Sequence, residues 1–455
     1  MMHKKDDTIR ELENDLKAGR HTRWEFLTKA TAMGVSIAVA DTMLSNPAFA
    51  ENKAERELQA GKLILDYWTP FAGPDGPNMG TLVDAYNHKN PYTYFKYLRV
   101  GGGYETKMTA AAISKTLPEV AAYRLDWLPD AIARGIFQPI DDLAARMNVK
   151  ASDFAPAVWQ GGQQKGRRYA IPLDTHVAVF FVNQNLLSKV GIKEVPKDRA
   201  SFEAAAKALT SDSNYGFQVP INWPLPMHFS TWLWQLGGEL TNADHTKFIY
   251  NSPAGQQALQ FMVDMVYKAK TSPKGASNPY QAFLTGKNAM IVDGIWVTNE
   301  VLQNKKLDAW AGPVPYVFGK ACWSGSHQLA VPNNNSTKLT TQKRAAVGQF
   351  IEYIVNNAAI WAKGGQIPAS AAARSTSLFK GLMPESRIAE EEPYVRFVGP
   401  YPGVAASFFG TITDYGSRAL LGKMSVKDAL DNSVRVSNQL LAQARATFGQ
   451  GSGLD

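Results

Sequence analysis

The apolar positions of this chain switch repeatedly between short continuous runs and stripes spaced three and four apart. KLILDYW (62–68) is a short apolar run and predicts a buried strand. The turn-rich AGPDGPN follows, then MGTLVDAYNHK, where Leu82 and Tyr86 share one helical face. TYFKYLRV (93–100) predicts a second strand, Gly101-Gly102-Gly103 a hinge or tight turn, and 104–114 a helix. TLPEVAAY (116–123) predicts a third strand. This alternation predicts an α/β fold whose sheet is joined by right-handed crossovers.

RRYAIPLDTHVAVFFVN (167–183) is extended, β-branched and aromatic, yet it contains Pro172. Proline disfavours a single central strand, so the stretch predicts a chain that leaves one sheet and enters another. Ser252-Pro253 predicts a helix start, with Leu259, Met262, Val263 and Val266 as its apolar stripe. Ser425 and Asp428 resemble a capping box ahead of a helix bearing Val426, Leu430, Val434, Leu441 and Phe448. NAMIVDGIW (288–296) and HQLAV (327–331) predict short strands, 332–338 a polar loop, and 451–455 part of a flexible tail.

Composition narrows the class. The 455 residues are 45% hydrophobic and 19% charged, enough apolar material for two or three domains, which excludes a disordered chain. The single cysteine, Cys322, excludes a disulfide scaffold. The net charge of +8 comes from scattered Lys and Arg without a clustered stripe, so no nucleic-acid partner is expected. Residues 1–50 read as a cleaved export signal: a polar leader, the mildly apolar 30–40, and Ala48-Phe49-Ala50 as the cleavage point. Thr22-Arg23-Trp24-Glu25-Phe26-Leu27 resembles a twin-arginine signal, with Trp24 where the second arginine belongs.

The catalytic signatures GxSxG, HExxH and the phosphate-loop pattern are missing, and no cofactor is expected. The seven histidines include no i,i+4 pair, so no metal site is expected either. Aromatic and small polar residues gather instead at strand ends and loops. They include Tyr67-Trp68, Asp126-Trp127, Asp174-Thr175-His176 and Asn222-Trp223, with His228 and Trp232 close behind. Asp293-Gly294-Ile295-Trp296 and Trp323-Ser324-Gly325-Ser326-His327 complete the pattern. Carbohydrate recognition asks for this mixture, because a pyranose stacks its C–H face on an indole while its hydroxyls need paired donors and acceptors. Some of these tryptophans are equally suited to core packing.

At 166–210 the chain resembles the family 1 extracellular solute-binding proteins, the sugar-binding subunits of ABC importers. The likeness rests on G-x-x-Y-x-[IL]-P, a strand ending Phe181-Val182-Asn183, and the helix after Asp198-Arg199-Ala200. Further matches run in order through YWTPFAGPDGP, which contains Asp75, GYETKMTAAA, which contains Tyr104, ARGIFQPIDDL, AFLTGKNAMIVDGIW, GSHQLAVP and KGGQIPAS. Pro118-Glu119-Val120 departs mildly from the usual Pro-Asp-Val.

The resemblance implies a two-lobed periplasmic binding protein fold of type II character, with three hinge crossings near 174, 313–322 and 366–370. Lobe one would be 61–173 plus 322–368, and lobe two 174–321 plus 369–450. It further implies a monomer that holds a small carbohydrate between the lobes and delivers it to inner-membrane ABC permease subunits. An anionic sugar drawing on Arg124, Arg374 or His327, a polyamine, and iron are the alternatives within the fold. A secreted carbohydrate-active enzyme using Asp126 and Asp174 is the alternative outside it. The mature protein is expected to begin at Glu51 in the periplasm; N-terminal sequencing of the exported protein checks this, and Met1 at that terminus refutes it.

Overall fold

The computed structural model describes residues 59–448 apart from 72, 74 and 335–338, together with Asp15 and Lys29. The export segment (those two residues aside), its cleavage point, most of the polar loop at 332–338 and the tail 451–455 lie outside the described residues.

The principal elements begin with β1 (Leu63–Thr69), α1 (Gly76–Lys89), β2 (Thr93–Arg99), α2 (Tyr104–Ser114) and β3 (Val120–Arg124). Next come β4 (Ala170–Pro172), β5 (Asp174–Asn183), β6 (Tyr215–Phe217), α3 (Leu225–Gln235), α4 (Pro253–Tyr267) and β7 (Asn288–Gly294). β8 (Ala309–Gly312), β9 (Cys322–Gly325), β10 (His327–Ala330), α5 (Thr341–Asn356) and β11 (Ile367–Pro368) follow. The chain closes with β12 (Val395–Phe397), α6 (Val404–Leu420) and α7 (Val426–Phe448). The expected strands and helices therefore form close to their anticipated bounds. Gly103 caps α2 at φ 81°, a left-handed conformation that favours glycine, so the triple glycine is a turn.

A five-strand and a seven-strand sheet organise these elements. The first has the order β2-β1-β3-β10-β4, the second β12-β9-β5-β7-β6, with β8 and β11 also paired to β5. All ten residues of β5 are buried, which is why its sequence is a continuous apolar run rather than an alternating one. Pro172 ends β4 at the margin of the first sheet, where a missing N–H costs no interior ladder bond. The long extended stretch thus serves two sheets, with Leu173 between them.

The sheets have separate cores. Leu65, Phe95, Phe350 and Trp361 belong to one apolar cluster, with a smaller one around Tyr104, Tyr123 and Phe137 beside it. Phe180, Phe202, Trp232, Phe261 and Phe408 belong to the other main cluster. Phe350 of α5 stacks on Phe95 at 3.8 Å and meets Tyr67 edge-on at 5.2 Å, so a helix late in the chain closes the first core.

Two boundaries differ from expectation. Strand 322–325 lies in the second sheet, paired with β5 and β12, and the chain returns to the first sheet through Ser326 rather than near 313–322. The short polar Ser-Gly-Ser allows that abrupt change of sheet. Ala369 and Ala373 pack in the first core, so the segment after β11 does not pass to the second lobe at once. Truncating Phe350→Ala should cost about 3–5 kcal/mol of stability through the cavity left in the first core, read as a lowered denaturation midpoint with the denaturant slope retained.

Candidate functional site: the junction between the lobes

Asp174 opens β5 immediately after the chain leaves the first sheet, and its side chain has no solvent exposure. Its Oδ1 accepts the His327 backbone N–H at 2.8 Å, and its Oδ2 accepts His327 Nδ1 at 2.8 Å and the Trp361 indole N–H at 2.9 Å. His176 Nδ1 stands 3.4 Å from Oδ1. Burial acts to raise the Asp174 carboxyl, but the charge of His327 and hydrogen bonds from both imidazoles outweigh it and hold the group well below the ordinary value. Burial pushes His176 down to about 4, so it is neutral at pH 7.

Gly325 makes this packing possible. It lies opposite His176 in the β9–β5 pairing, and a Cβ there would fall 2.2 Å from His176 Nε2. Ser324 Oγ donates to the His176 carbonyl at 3.1 Å. Asp75, also buried, accepts from Gln366 Nε2 at 3.0 Å, and burial raises its carboxyl to about 6.

Three indoles stand beside this cluster. Trp223, Trp296 and Trp323 have ring centroids 6.1–6.4 Å apart; Trp223 and Trp296 are inclined by 26°, and Trp323 is steep to both. His176 lies 5.9 Å from both Trp296 and Trp323. Trp296 folds back over Gly294, where a Cβ would reach within 2.0 Å of the ring. Trp223 is 45% exposed, while Trp323 is buried with its indole N–H unpartnered. From the first lobe, Arg124 is clamped by Asp126 and lies 5.5 Å over Phe409, which meets Trp223 edge-on.

Several expected site residues are elsewhere. Tyr67, Trp232 and His228 are fully enclosed; Tyr67 packs against Tyr97 and Phe350, Trp232 against Phe261, and the His228 Nε2–H donates to the Val292 carbonyl at 2.8 Å. The apolar environment that makes these good core residues keeps a solute from reaching them. Tyr104 is buried and donates to the Trp68 carbonyl. Trp68 packs beside the small cluster of the first lobe under Lys107, and Trp127 packs there near Arg124. Arg374 is occupied by the Pro368 and Ala369 carbonyls and by Glu392. Phe409 and Trp361 carried no sequence signal, and His176 and His327, which share no local spacing, meet at 4.4 Å.

Comparison with known proteins places this geometry. Residues 74–360 match the family described as bacterial extracellular solute-binding protein, and the chain belongs to that family. Its members are binding proteins rather than enzymes. A Brucella abortus protein named as a binding protein is 23% identical over 242 residues, 51% of this chain and 57% of its own length. An ABC transporter solute-binding protein of Thermotoga lettingae bound with α-D-tagatose superposes with a TM-score of 0.72 at 20% identity, over 83% of this chain and 99% of its own. The maltose-bound MalE3 of T. maritima gives 0.73 at 18%, over 83% and 99%. UgpB of Mycobacterium tuberculosis in complex with glycerophosphocholine gives 0.74 at 19%, over 84% and 99%. These likenesses establish the fold. Among the described residues no helix is long and apolar enough to cross a membrane.

Asp293, on the same strand as Gly294, supplies a test of the site's electrostatics. Burial raises its carboxyl to about 7, and only the Gly294 N–H opposes the shift. A raised carboxyl penalises the folded state as pH climbs from the unfolded value near ~4, with the full penalty above 7. Asp293→Asn keeps the acceptor and removes the charge. It should stabilise the protein at pH 8 by up to about 4 kcal/mol and by little at pH 4, as read from denaturation midpoints at the two pH values.

Proposed function

We propose that the protein captures a sugar or oligosaccharide between its lobes in the periplasm and delivers it to the permease of an ABC importer. The observation that carries this reading is the group of Trp223, Trp296 and Trp323 at the lobe junction, one of them well exposed, with polar side chains around it. Indole faces suit the C–H face of a sugar ring, and Trp223 offers such a face to solvent. The solutes named for the tagatose and maltose complexes support the same class.

Capture works by closure. The two sheets have separate cores, and the chain passes between them at Leu173, at Ser326 and again after Ala373, so each lobe can move as a unit about these crossings. A solute touching both lobes binds the closed form better, and that differential affinity shifts the population. The permease then recognises the closed form. An anionic sugar is less favoured, because Arg124 and Arg374 are already held by Asp126 and Glu392. A second reading has one specific support: three indoles around one space also suit a quaternary ammonium group, and a structural neighbour was solved with glycerophosphocholine.

A thermal-shift panel of neutral sugars, sugar acids, polyamines and glycerophosphocholine identifies the solute, because a tight ligand raises the melting temperature. With that solute, Trp296→Ala and Trp223→Ala should each weaken binding by about 1–3 kcal/mol in calorimetry while the melting transition persists. Trp68→Ala should do less, given the Lys107 ammonium 4.8 Å over its ring. Unchanged affinity in both of the first two variants would remove the indole group as the binding surface.

A further inference from the structure

We propose that Asp174, His176 and His327 form a site for one divalent transition-metal ion of zinc-like ligand preference, set into the junction between the lobes. One candidate ligand atom from each residue lies within 4.8 Å of the other two. The imidazole rings lie 4.4 Å apart with 37° between their planes, and the Nδ1 of each faces the Asp174 carboxylate, His176 at 3.4 Å and His327 at 2.8 Å. Two imidazoles and one carboxylate form a donor set for Zn²⁺, Co²⁺ or Ni²⁺; Ca²⁺ and Mg²⁺ prefer shells of oxygen alone.

The surroundings are arranged as a metal site requires. The Trp361 indole N–H and the His327 backbone N–H hold the Asp174 carboxylate from behind, the kind of outer hydrogen bonding that orients a ligating group. Gly325 leaves room for the His176 ring, as no other residue would. His176 Nδ1 at 3.4 Å makes the longest of the polar contacts to the carboxylate, the one an inserted ion would displace at least cost.

Charge gives the second argument. Asp75 and Asp174 are both buried, and each carboxyl feels the other's charge as well as that of His327. Among the described residues Asp174 forms ion pairs with histidines alone, and Asp75 is held by the neutral Gln366. Buried carboxylates are ordinarily matched by a cation; here one histidine, His327, is shared by two carboxyls, and a dication beside it would match both. Such an ion joins the first strand beyond one crossing to the first strand beyond another, so it stiffens the junction. Its role is separate from solute stacking on the indoles, and it stands whether or not the solute is a sugar.

The test uses the untagged full chain, stripped with a chelator and then dialysed free of it. Calorimetric titration with ZnCl₂ should show one saturable ion per chain, and CoCl₂ should develop visible absorption bands of a nitrogen-ligated ion. MgCl₂ and CaCl₂ should give no saturable signal. His176→Gln and His327→Gln should each weaken Zn²⁺ binding at least about tenfold, judged from the losses seen when the support of a metal site is removed. His88→Gln and His245→Gln should leave it unchanged. X-ray absorption on the zinc-loaded wild type should show imidazole scattering, which keeps the proposal testable if a variant fails to fold. Absence of saturable Zn²⁺, Co²⁺ and Ni²⁺ binding overturns it, as does a zinc site without imidazole or one insensitive to both glutamine variants.

Discussion

A carboxylate sealed from water must be satisfied by the protein or it destabilises the fold, and Asp174 is the group on which this constraint falls hardest. Its donors come from well-separated parts of the chain. His176 lies just beyond the passage at Leu173, His327 just beyond the one at Ser326, and Trp361 in the first core. Each charge-assisted hydrogen bond is worth about 1.5–3 kcal/mol, while losing a partner exposes the cost of an unmatched buried charge, about 3–5 kcal/mol. One buried side chain therefore ties together segments that lie far apart in the chain, at the place where the first sheet gives way to the second.

Around that fixed point the rest of the junction is less constrained. The main apolar cores lie on either side of it, so closure or opening need not disturb either. Across the opposite side of the junction the Gly403 N–H donates to the buried Asp130 at 2.5 Å, and Arg124 lies over Phe409.

The titrating groups pull in opposite directions. Burial lowers His176 and His228 to about 4, so stability falls as pH drops from their ordinary range near ~6.5 toward that value. Burial raises Asp75 to about 6 and Asp293 to about 7, so their penalty grows as pH rises over an overlapping interval. The two effects offset one another between about pH 4 and 7, and the junction spans that range without one dominant transition.

Much of the architecture was legible in the chain, because strand and helix periods depend on local spacing. The apolar run of β5, the stripe of α4 and the displaced Pro172 each announced an element or a change of sheet. The indoles Trp223 and Trp296 were legible as candidates for the same reason, since they sit at element ends beside small polar residues. Residue type and spacing also led to Tyr67, His228 and Trp232, which look identical in sequence yet lie inside the cores. Whether an aromatic ring faces a core or a cleft depends on what packs over it, and for Tyr67 that is Phe350, nearly three hundred residues further on. The clustering of Asp174 with His327 spans 153 residues, and no local period records such a separation. The sequence by itself determined the elements, the two-sheet plan and the family; only the tertiary structure decided which side chains meet at the junction, because contacts between distant segments exist only once both lobes have folded.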